Sequence, residues 1–130
     1  MNIKKTANLL LNFAIKRLAE IFGIIIFIIG VMLLVSLITY SPDDPNFVFP
    51  DNATIKNILG FQGSFISDLF FQSVGLIAYL IPFTFIITGI NIFKTKEFFL
   101  FIENNFYTIL YSIFGTLFFT HFYSNVYTIY

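Results

Sequence analysis

Three long stretches of the sequence contain no charged side chain, and they limit what this chain can fold into. No Asp, Glu, Lys or Arg lies between Glu20 and Asp43, between Asp68 and Lys94, or after Glu103. About twenty apolar residues in an α-helix span roughly 30 Å, the thickness of the hydrocarbon layer of a bilayer. A chain of 130 residues is too short to bury several such helices in a water-soluble core. The sequence therefore predicts an all-α, multi-pass integral membrane helical bundle.

Polar clusters between the apolar stretches divide the chain into segments. Prolines and aspartates follow the first stretch and end its helix, because proline cannot continue a helix and aspartate favours turns. The predicted membrane domain covers residues 21–123, after an amphipathic lead-in at 1–20 and before a truncated end at 124–130. Its predicted parts are three transmembrane helices at about 21–40, 67–93 and 104–123, an outer loop at 41–66 and a hinge at 94–97.

Basic residues indicate the orientation of these segments. Lysines and an arginine are concentrated in the lead-in and in the hinge, whereas the loop at 41–66 holds Lys56 among several aspartates. Cytoplasmic segments of membrane proteins are enriched in Lys and Arg, so the N-terminus and the hinge are predicted to be cytoplasmic and the loop external. Two interpretations of the lead-in remain open. It could lie on the inner leaflet as an amphipathic helix, or it could extend the first spanning helix.

No catalytic, cofactor-binding or metal-binding constellation is found in the sequence. The absence of Cys excludes disulfides and thiolate chemistry, and no Gly-x-x-x-x-Gly-Lys-Ser/Thr loop is present to hold a nucleotide phosphate. His121 is the one histidine and is predicted to be interfacial. Glu103 is predicted to lie at headgroup level, because no cation is placed to pair with it inside the membrane. A net charge of zero argues against direct contact with nucleic acid.

Glycines within the apolar stretches are a weaker signal for helix packing. Glycine lets two helices approach closely, which membrane bundles use in place of a hydrophobic driving force. The candidates are Gly23, Gly30, Gly75, Gly89 and Gly115. None of them forms a Gly-x-x-x-Gly pair, so the sequence does not say which of them meet.

The most specific pattern lies between Tyr40 and Pro82. A Ser-Pro-Asp-Asp-Pro turn at 41–45 follows the first apolar stretch, and an Asn-x-x-Gly-x-x-Gly run at 57–63 leads into the second. Together with the residues after it, this order resembles the four-helix N-terminal membrane domain of the FtsK/SpoIIIE family of DNA translocases. Ser64 stands where the family usually has Ala, a small-for-small change. The matching residues are Pro42, Asp44, Pro45, Asn57, Gly60, Gly63, Asp68, Gly75 and Pro82.

The residues of this pattern also have expected structural roles. Asp68 is predicted at the outer, N-terminal end of the second helix, where the helix dipole favours a negative charge. Pro82 lies inside that helix and is expected to kink it. Exposed aromatic side chains beside charges make good recognition anchors, so the outer loop is predicted to contact other proteins through Asp43, Asp44, Phe47 and Phe49.

The resemblance implies a function. The chain would be the membrane anchor and septum-localising domain of a DNA translocase that acts in cell division and chromosome segregation, in the bacterial inner membrane. The family's ATPase motor, with its ATP and magnesium, is absent from these residues, so the chain is expected to be a fragment or a truncated relative without enzymatic activity. Its implied partners are the lipid bilayer, other division proteins and further copies of itself, since the full-length family forms hexamers.

Two other classes of function compete with this interpretation. A small transporter or channel component would need paired polar groups in mid-membrane, and the apolar stretches offer only Gln72, Asn91 and hydroxyl groups. A holin-like protein that permeabilises membranes would agree with the short, aromatic-rich chain. It would not account for the spacing from Asn57 to Pro82.

Overall fold

The computed structural model describes residues 3–45 and 54–122. Within these ranges the chain is all-helical and contains no β-strand, which confirms the predicted fold class. Its elements are α1 (Ile3–Ile38), α2 (Gly60–Val74), a short 3-10 segment (Gly75–Tyr79), α3 (Leu80–Thr95) and α4 (Phe99–Phe122).

Among the described residues, two helical stretches are long and apolar enough to cross a membrane. One is Lys4–Ile38 in α1, and the other is Gly60–Thr95, which joins α2, the 3-10 segment and α3. Although α4 has 24 residues, it is not one of the two, because polar side chains such as Asn104 and Asn105 lower its hydropathy. The predicted third span at 104–123 therefore stays a prediction.

Several helix boundaries differ from those expected. The predicted lead-in at 1–20 is continuous with the first spanning stretch from Ile3 onward, because nothing in its sequence interrupts a helix. The second helix begins at Gly60, inside the predicted outer loop, rather than at about 67. The predicted third transmembrane helix corresponds to α4, which begins at Phe99 rather than at about 104. The predicted end at 124–130 lies outside the described residues.

The second spanning stretch is interrupted just before Pro82. The proline ring lacks an N–H and crowds the carbonyl of the residue four positions earlier, so a regular α-helix cannot pass through this point undisturbed. The chain adopts 3-10 geometry over Gly75–Tyr79. Gly75 opens this segment with a φ of 61°, a left-handed conformation that glycine adopts without steric cost. The expected effect of Pro82 thus appears upstream of it, in a 3-10 segment that begins at Gly75, seven residues before the proline.

The main tertiary contact joins α1 to α3, which run antiparallel. A Cβ atom built on Gly89 would lie 2.6 Å from the backbone nitrogen of Phe27 and 2.7 Å from the carbonyl oxygen of Gly23. A Cβ on Gly30 would lie 2.8 Å from the backbone nitrogen of Ile86. Gly23 and Gly30 are seven residues apart and so face the same side of α1. The two backbones meet directly at these glycines.

Few apolar side chains are buried inside the bundle. They include Ala19, Ile26, Leu37, Ala78 and Ile92, whereas many large apolar side chains of every helix are exposed. Helices that are apolar on all sides need an apolar environment around them. The exposed surface is therefore one that a bilayer would cover.

We expect Gly89→Ala to lower the free energy of unfolding by about 1–2 kcal/mol, because overpacking costs about 1–3 kcal/mol and the better helix propensity of Ala returns part of it. Gly115→Ala is the matched control. The nearest atom to its new methyl group would be Cδ1 of Ile77, at 2.8 Å. This is the end of a flexible side chain and not a backbone atom, so a smaller change is expected. Titration of the chain in mixed micelles with sodium dodecyl sulfate measures both values. Equal stability of the two variants would contradict a backbone contact at Gly89.

Candidate functional site

Three residues of the sequence pattern, Asp44, Asn57 and Gly63, meet at the end of the bundle where α1 ends and α2 begins. We call the buried cluster of Ser36, Asp44, Asn57, Gly63 and Ser64 the outer polar network. Its four polar side chains are all at least 96% buried. Buried polar groups are stable only when they are hydrogen-bonded, so each partner in this cluster matters.

The side chain of Asp44 joins the turn after α1 to Lys56 and Asn57, the residues that precede α2. Its Oδ1 accepts a hydrogen bond from the backbone N–H of Lys56, and its Oδ2 accepts one from the backbone N–H of Asn57, both at 2.8 Å. The backbone N–H of Asp44 donates to the carbonyl of Ser41 at 3.1 Å and forms a turn. Because the side chain is buried and both oxygens are occupied, Asp44 is not the surface contact residue that the sequence suggested.

Asn57 connects the two helices and organises the start of α2. Its side-chain amide donates to the carbonyl of Ser36 at 2.9 Å, and its Oδ1 accepts the backbone N–H of Leu59 at 3.0 Å. Its own carbonyl accepts the N–H of Gly60 at 2.9 Å. These bonds explain why α2 begins at Gly60, earlier than the hydropathy pattern indicated.

Gly63 receives two hydroxyl groups. Its carbonyl oxygen accepts hydrogen bonds from Ser36 Oγ at 2.6 Å and from Ser67 Oγ at 2.8 Å. A Cβ atom on Gly63 would overlap Asn57 Oδ1 and would lie 2.6 Å from the Cβ of Leu59. No residue with a side chain fits at Gly63 unless the network moves.

Ser64, the residue that departs from the family pattern, takes part in the same network. Its Oγ donates to the carbonyl of Pro45 at 3.0 Å and ties the Pro-rich turn to α2. An alanine at this position could not form that bond. The substitution that looked inconsequential in the sequence therefore adds one hydrogen bond to the cluster.

Other pattern residues have backbone or packing roles. Gly60 has a φ of 66°, and a Cβ there would meet nothing within 4 Å, so its conformation rather than crowding favours glycine. Pro82 and Pro45 are buried, while Pro42 is exposed. The sequence pattern is thus largely a set of requirements for joining α1 to α2 and for bending the second spanning stretch.

Asp68 does not lie at a helix start. It falls in the middle of α2, so the expected stabilisation by the helix dipole does not apply, because that effect is confined to the first turn. Its carboxylate instead accepts hydrogen bonds from the hydroxyl of Tyr40 at 3.1 Å and from the amide of Gln72 at 2.7 Å. The ring of Tyr40 also packs on Phe71, with centroids 4.7 Å apart.

Asp43 and Lys56 form an exposed ion pair beside the buried network. The Lys56 ammonium lies 2.8 Å from Asp43 Oδ2, and the side chains of Lys56 and Asp43 are 60% and 75% exposed, respectively. The hydrogen bond from Lys56, and then its charge, lowers the pKa of Asp43, while the same pair raises the pKa of Lys56. The pairing is present at neutral pH and is lost as the pH falls through the lowered pKa of Asp43. Exposed pairs of this kind contribute little to stability.

The predicted contact residues therefore divide into three cases. Asp43 is exposed, as the prediction requires, whereas Asp44 is buried in the outer polar network. Phe47 and Phe49 lie outside the described residues, so their contact role stays a prediction. Sequence reasoning missed Ser36 and Ser67. Ser36 is one of three hydroxyl residues, with Thr39 and Tyr40, at the end of the first apolar stretch, so the sequence offered no signal specific to it.

Polar side chains deeper in the bundle pair with one another between α3 and α4. The amide of Asn104 donates to Thr88 Oγ1 at 2.8 Å, and the hydroxyls of Thr84 and Tyr111 lie 2.6 Å apart. Such bonds between helices stabilise membrane bundles. In residues 3–45 and 54–122, no group of three or more His, Cys, Asp or Glu side chains is placed to hold a metal ion.

The fold and the outer polar network define a helical membrane protein in which Asp44 and Asn57, between α1 and α2, are fastened to both helices. The sequence model of the family described as the 4TM region of DNA translocase FtsK/SpoIIIE matches residues 15–128. The chain belongs to this family, and its location is the membrane.

Individual relatives support the same assignment. The chain is 33% identical over 78 residues to the DNA translocase FtsK of Rickettsia bellii, covering 60% of this chain and 10% of the relative. It is 36% identical over 67 residues to that of Rickettsia typhi (52% and 9%). It is 35% identical over 69 residues to that of Caulobacter vibrioides (53% and 8%). The match thus spans about a tenth of each relative's length. No solved structure matches the chain.

We expect Asp44→Asn to destabilise the chain far more than Asp43→Asn, although the two changes are chemically identical and adjacent. Loss of a buried, charge-assisted pair of hydrogen bonds costs about 1.5–3 kcal/mol, whereas an exposed ion pair contributes about 0–1 kcal/mol. The free energy of unfolding in the same mixed-micelle titration measures both. An equal loss for the two variants would show that Asp44 is not held in the buried network.

Proposed function

We propose that this chain is the membrane anchor of a DNA translocase that acts in bacterial cell division and chromosome segregation. The observation that carries the proposal is the family match over residues 15–128. The outer polar network supports it, because Asp44, Asn57 and Gly63 come from the same sequence pattern and hold one another by direct contact.

The anchor would work by packing and by contact rather than by chemistry. In this proposal the motor that uses ATP and magnesium belongs to another part of the protein, and the chain itself is not an enzyme. The anchor would reside in the inner membrane at the division septum and assemble with further copies of itself. The rigid attachment of the outer loop to α1 and α2 would present Asp43, Lys56 and the neighbouring residues to other division proteins.

The proposed orientation has the N-terminus and the hinge in the cytoplasm. An ion pair supports it, since the Lys96 ammonium in the hinge lies 2.8 Å from Glu20 Oε1 in α1. The basic residues of the lead-in and of the hinge are therefore at the same end of the bundle. The outer polar network is at the opposite end, where aspartates predominate.

Cysteine labelling tests this orientation, because the sequence has no native Cys. Asp43→Cys should react with a membrane-impermeant maleimide in intact spheroplasts. Lys94→Cys, the matched control at the other end, should react only after permeabilisation. The reverse pattern would mean that the outer polar network faces the cytoplasm and would contradict the proposed anchor topology.

Septal recruitment tests the proposed function. A fluorescent fusion of the chain should concentrate at the division site of a host that carries a related translocase. A variant with both Asp43→Ala and Lys56→Ala should lose recruitment while remaining in the membrane, because only the exposed pair is changed. The matched control is Lys4→Ala with Lys5→Ala at the opposite end. Uniform membrane fluorescence of the unaltered fusion, or ion leakage on its expression, would argue against an anchor.

A further inference from the structure

The contact between α1 and α3 leaves an apolar groove open toward the surrounding membrane. Its volume is about 250 Å³, and it is lined by Gly23, Ile24, Phe27, Gly89, Ile90 and Phe93. We call it the α1–α3 groove. Its floor is formed where the two backbones meet at the glycines. The isoleucines and phenylalanines at its edges are all partly exposed.

The groove leads along both helices to the basic end of the bundle. Lys16, Glu20, Gly23 and Phe27 fall on one face of α1, because they are spaced by four, three and four residues. On α3, Lys94 lies four residues after the groove residue Ile90 and so falls on the same face. The α1–α3 groove therefore ends at a cluster of basic side chains. This cluster lies at the level predicted for the lipid headgroups.

One carboxylate holds two cations in place at this end. Glu20 forms ion pairs with Arg17, one turn before it in α1, and with Lys96, which follows α3. The guanidinium of Arg17 also lies over the ring of Phe13, 5.1 Å from its centroid. The side chains of Arg17 and Lys96 remain 57% and 36% exposed, so further N–H groups of both are open to a ligand.

The charges around this end are predominantly positive. Four cations from α1, α3 and the hinge lie toward this end together with three carboxylates, one of which is already shared between two of the cations. Together they leave a net positive charge for a ligand to neutralise. The cations are Lys16, Arg17, Lys94 and Lys96, and the carboxylates are Glu20, Glu97 and Glu103.

The backbone at Lys96 gives a second indication that this side chain has a role. Lys96 ends α3 in the left-handed conformation, with φ 63° and ψ 30°. Glycine or asparagine normally occupies such a helix end, because other residues are strained there. Strained positions persist where the surroundings hold them, often at functional sites. Glycine would fit the backbone but could not reach Glu20.

We propose that the α1–α3 groove and its basic end form a binding site for one anionic phospholipid of the inner leaflet. The phosphate diester would lie against Arg17, Lys94 and Lys96, and an acyl chain would follow the groove between the exposed phenylalanines. Basic pockets between membrane helices bind anionic headgroups. The apolar groove suits an acyl chain, which a lipid has and a soluble phosphate lacks. The site requires membrane insertion but does not depend on a role in DNA translocation.

Tryptophan quenching tests the site directly, because the sequence contains no native Trp. Phe93→Trp places a reporter in the groove, and Phe106→Trp places a matched reporter on an exposed part of α4. Each full chain is reconstituted in phosphatidylcholine vesicles that contain brominated phosphatidylglycerol or brominated phosphatidylcholine. At the groove reporter we expect brominated phosphatidylglycerol to bind on the order of fivefold more tightly than brominated phosphatidylcholine. This is the factor that one basic side chain contributes to binding at an anionic surface. At the α4 reporter the two quenchers should be equivalent.

Charge variants then separate the site from general attraction to an anionic surface. The double variant Arg17→Gln, Lys96→Gln should abolish the preference for the anionic quencher at the groove reporter. The double variant Lys4→Gln, Lys5→Gln removes the same amount of charge at the N-terminal end of α1 and should leave that preference unchanged. Glu20→Gln should preserve or increase the preference, because it releases two cations to the lipid. Circular dichroism verifies that each variant keeps its helices.

Three outcomes would overturn the proposal. Equal quenching by the two lipids at the groove reporter would mean that no anionic lipid is selected. Equal losses in the two double variants would mean that only the overall charge of the chain matters. Loss of the preference in Glu20→Gln with intact helices would mean that freeing Arg17 and Lys96 creates no site for the lipid phosphate.

Discussion

The contact between Gly23 of α1 and Gly89 of α3 sets the register on which both ends of the bundle depend. The backbones touch because neither residue has a side chain, and two rigid helices in contact at one level are positioned along their whole length. At one end, this register brings Glu20 to Lys96. At the other, it allows the hydroxyl of Tyr79 to reach the carbonyl of Leu37, 3.2 Å away. A single extra methyl group at the contact would disturb both ends together.

The outer polar network shows how an irregular segment can leave a membrane helix without exposing unpaired backbone groups. Near a bilayer, each unsatisfied N–H or C=O is expensive. Asp44 and Asn57 supply the missing partners from side chains, and Ser36 supplies one from within α1. The loop is consequently attached to the helices by side chains that are hidden from any partner. Residues of the family pattern can thus serve the fold, whereas the adjacent Asp43 is exposed and lies outside the network.

Apolarity was sufficient to predict the class of fold but not the start of α2. The absence of charge between Asp68 and Lys94 identified a spanning stretch, yet the helix extends back to Gly60. Just before it, the side chain of Asn57 accepts the N–H of Leu59, and the backbone carbonyl of Asn57 accepts the N–H of Gly60. Asp44 was expected on the surface because a charge beside aromatic residues makes a good recognition anchor. The sequence could not show that the folded chain buries this aspartate and supplies two backbone N–H groups to it.

The sequence by itself determined that this chain is a helical membrane protein, which of its ends is basic, and to which family it belongs. Those properties depend on composition and on spacing along the chain, which local physics converts into helices and orientation. Only the tertiary structure decided which glycines meet, that Asp44 is buried, and that Arg17 and Lys96 lie beside one apolar groove. The reason is distance along the chain, because Gly23 and Gly89, or Arg17 and Lys96, become neighbours only when helices far apart in sequence pack together.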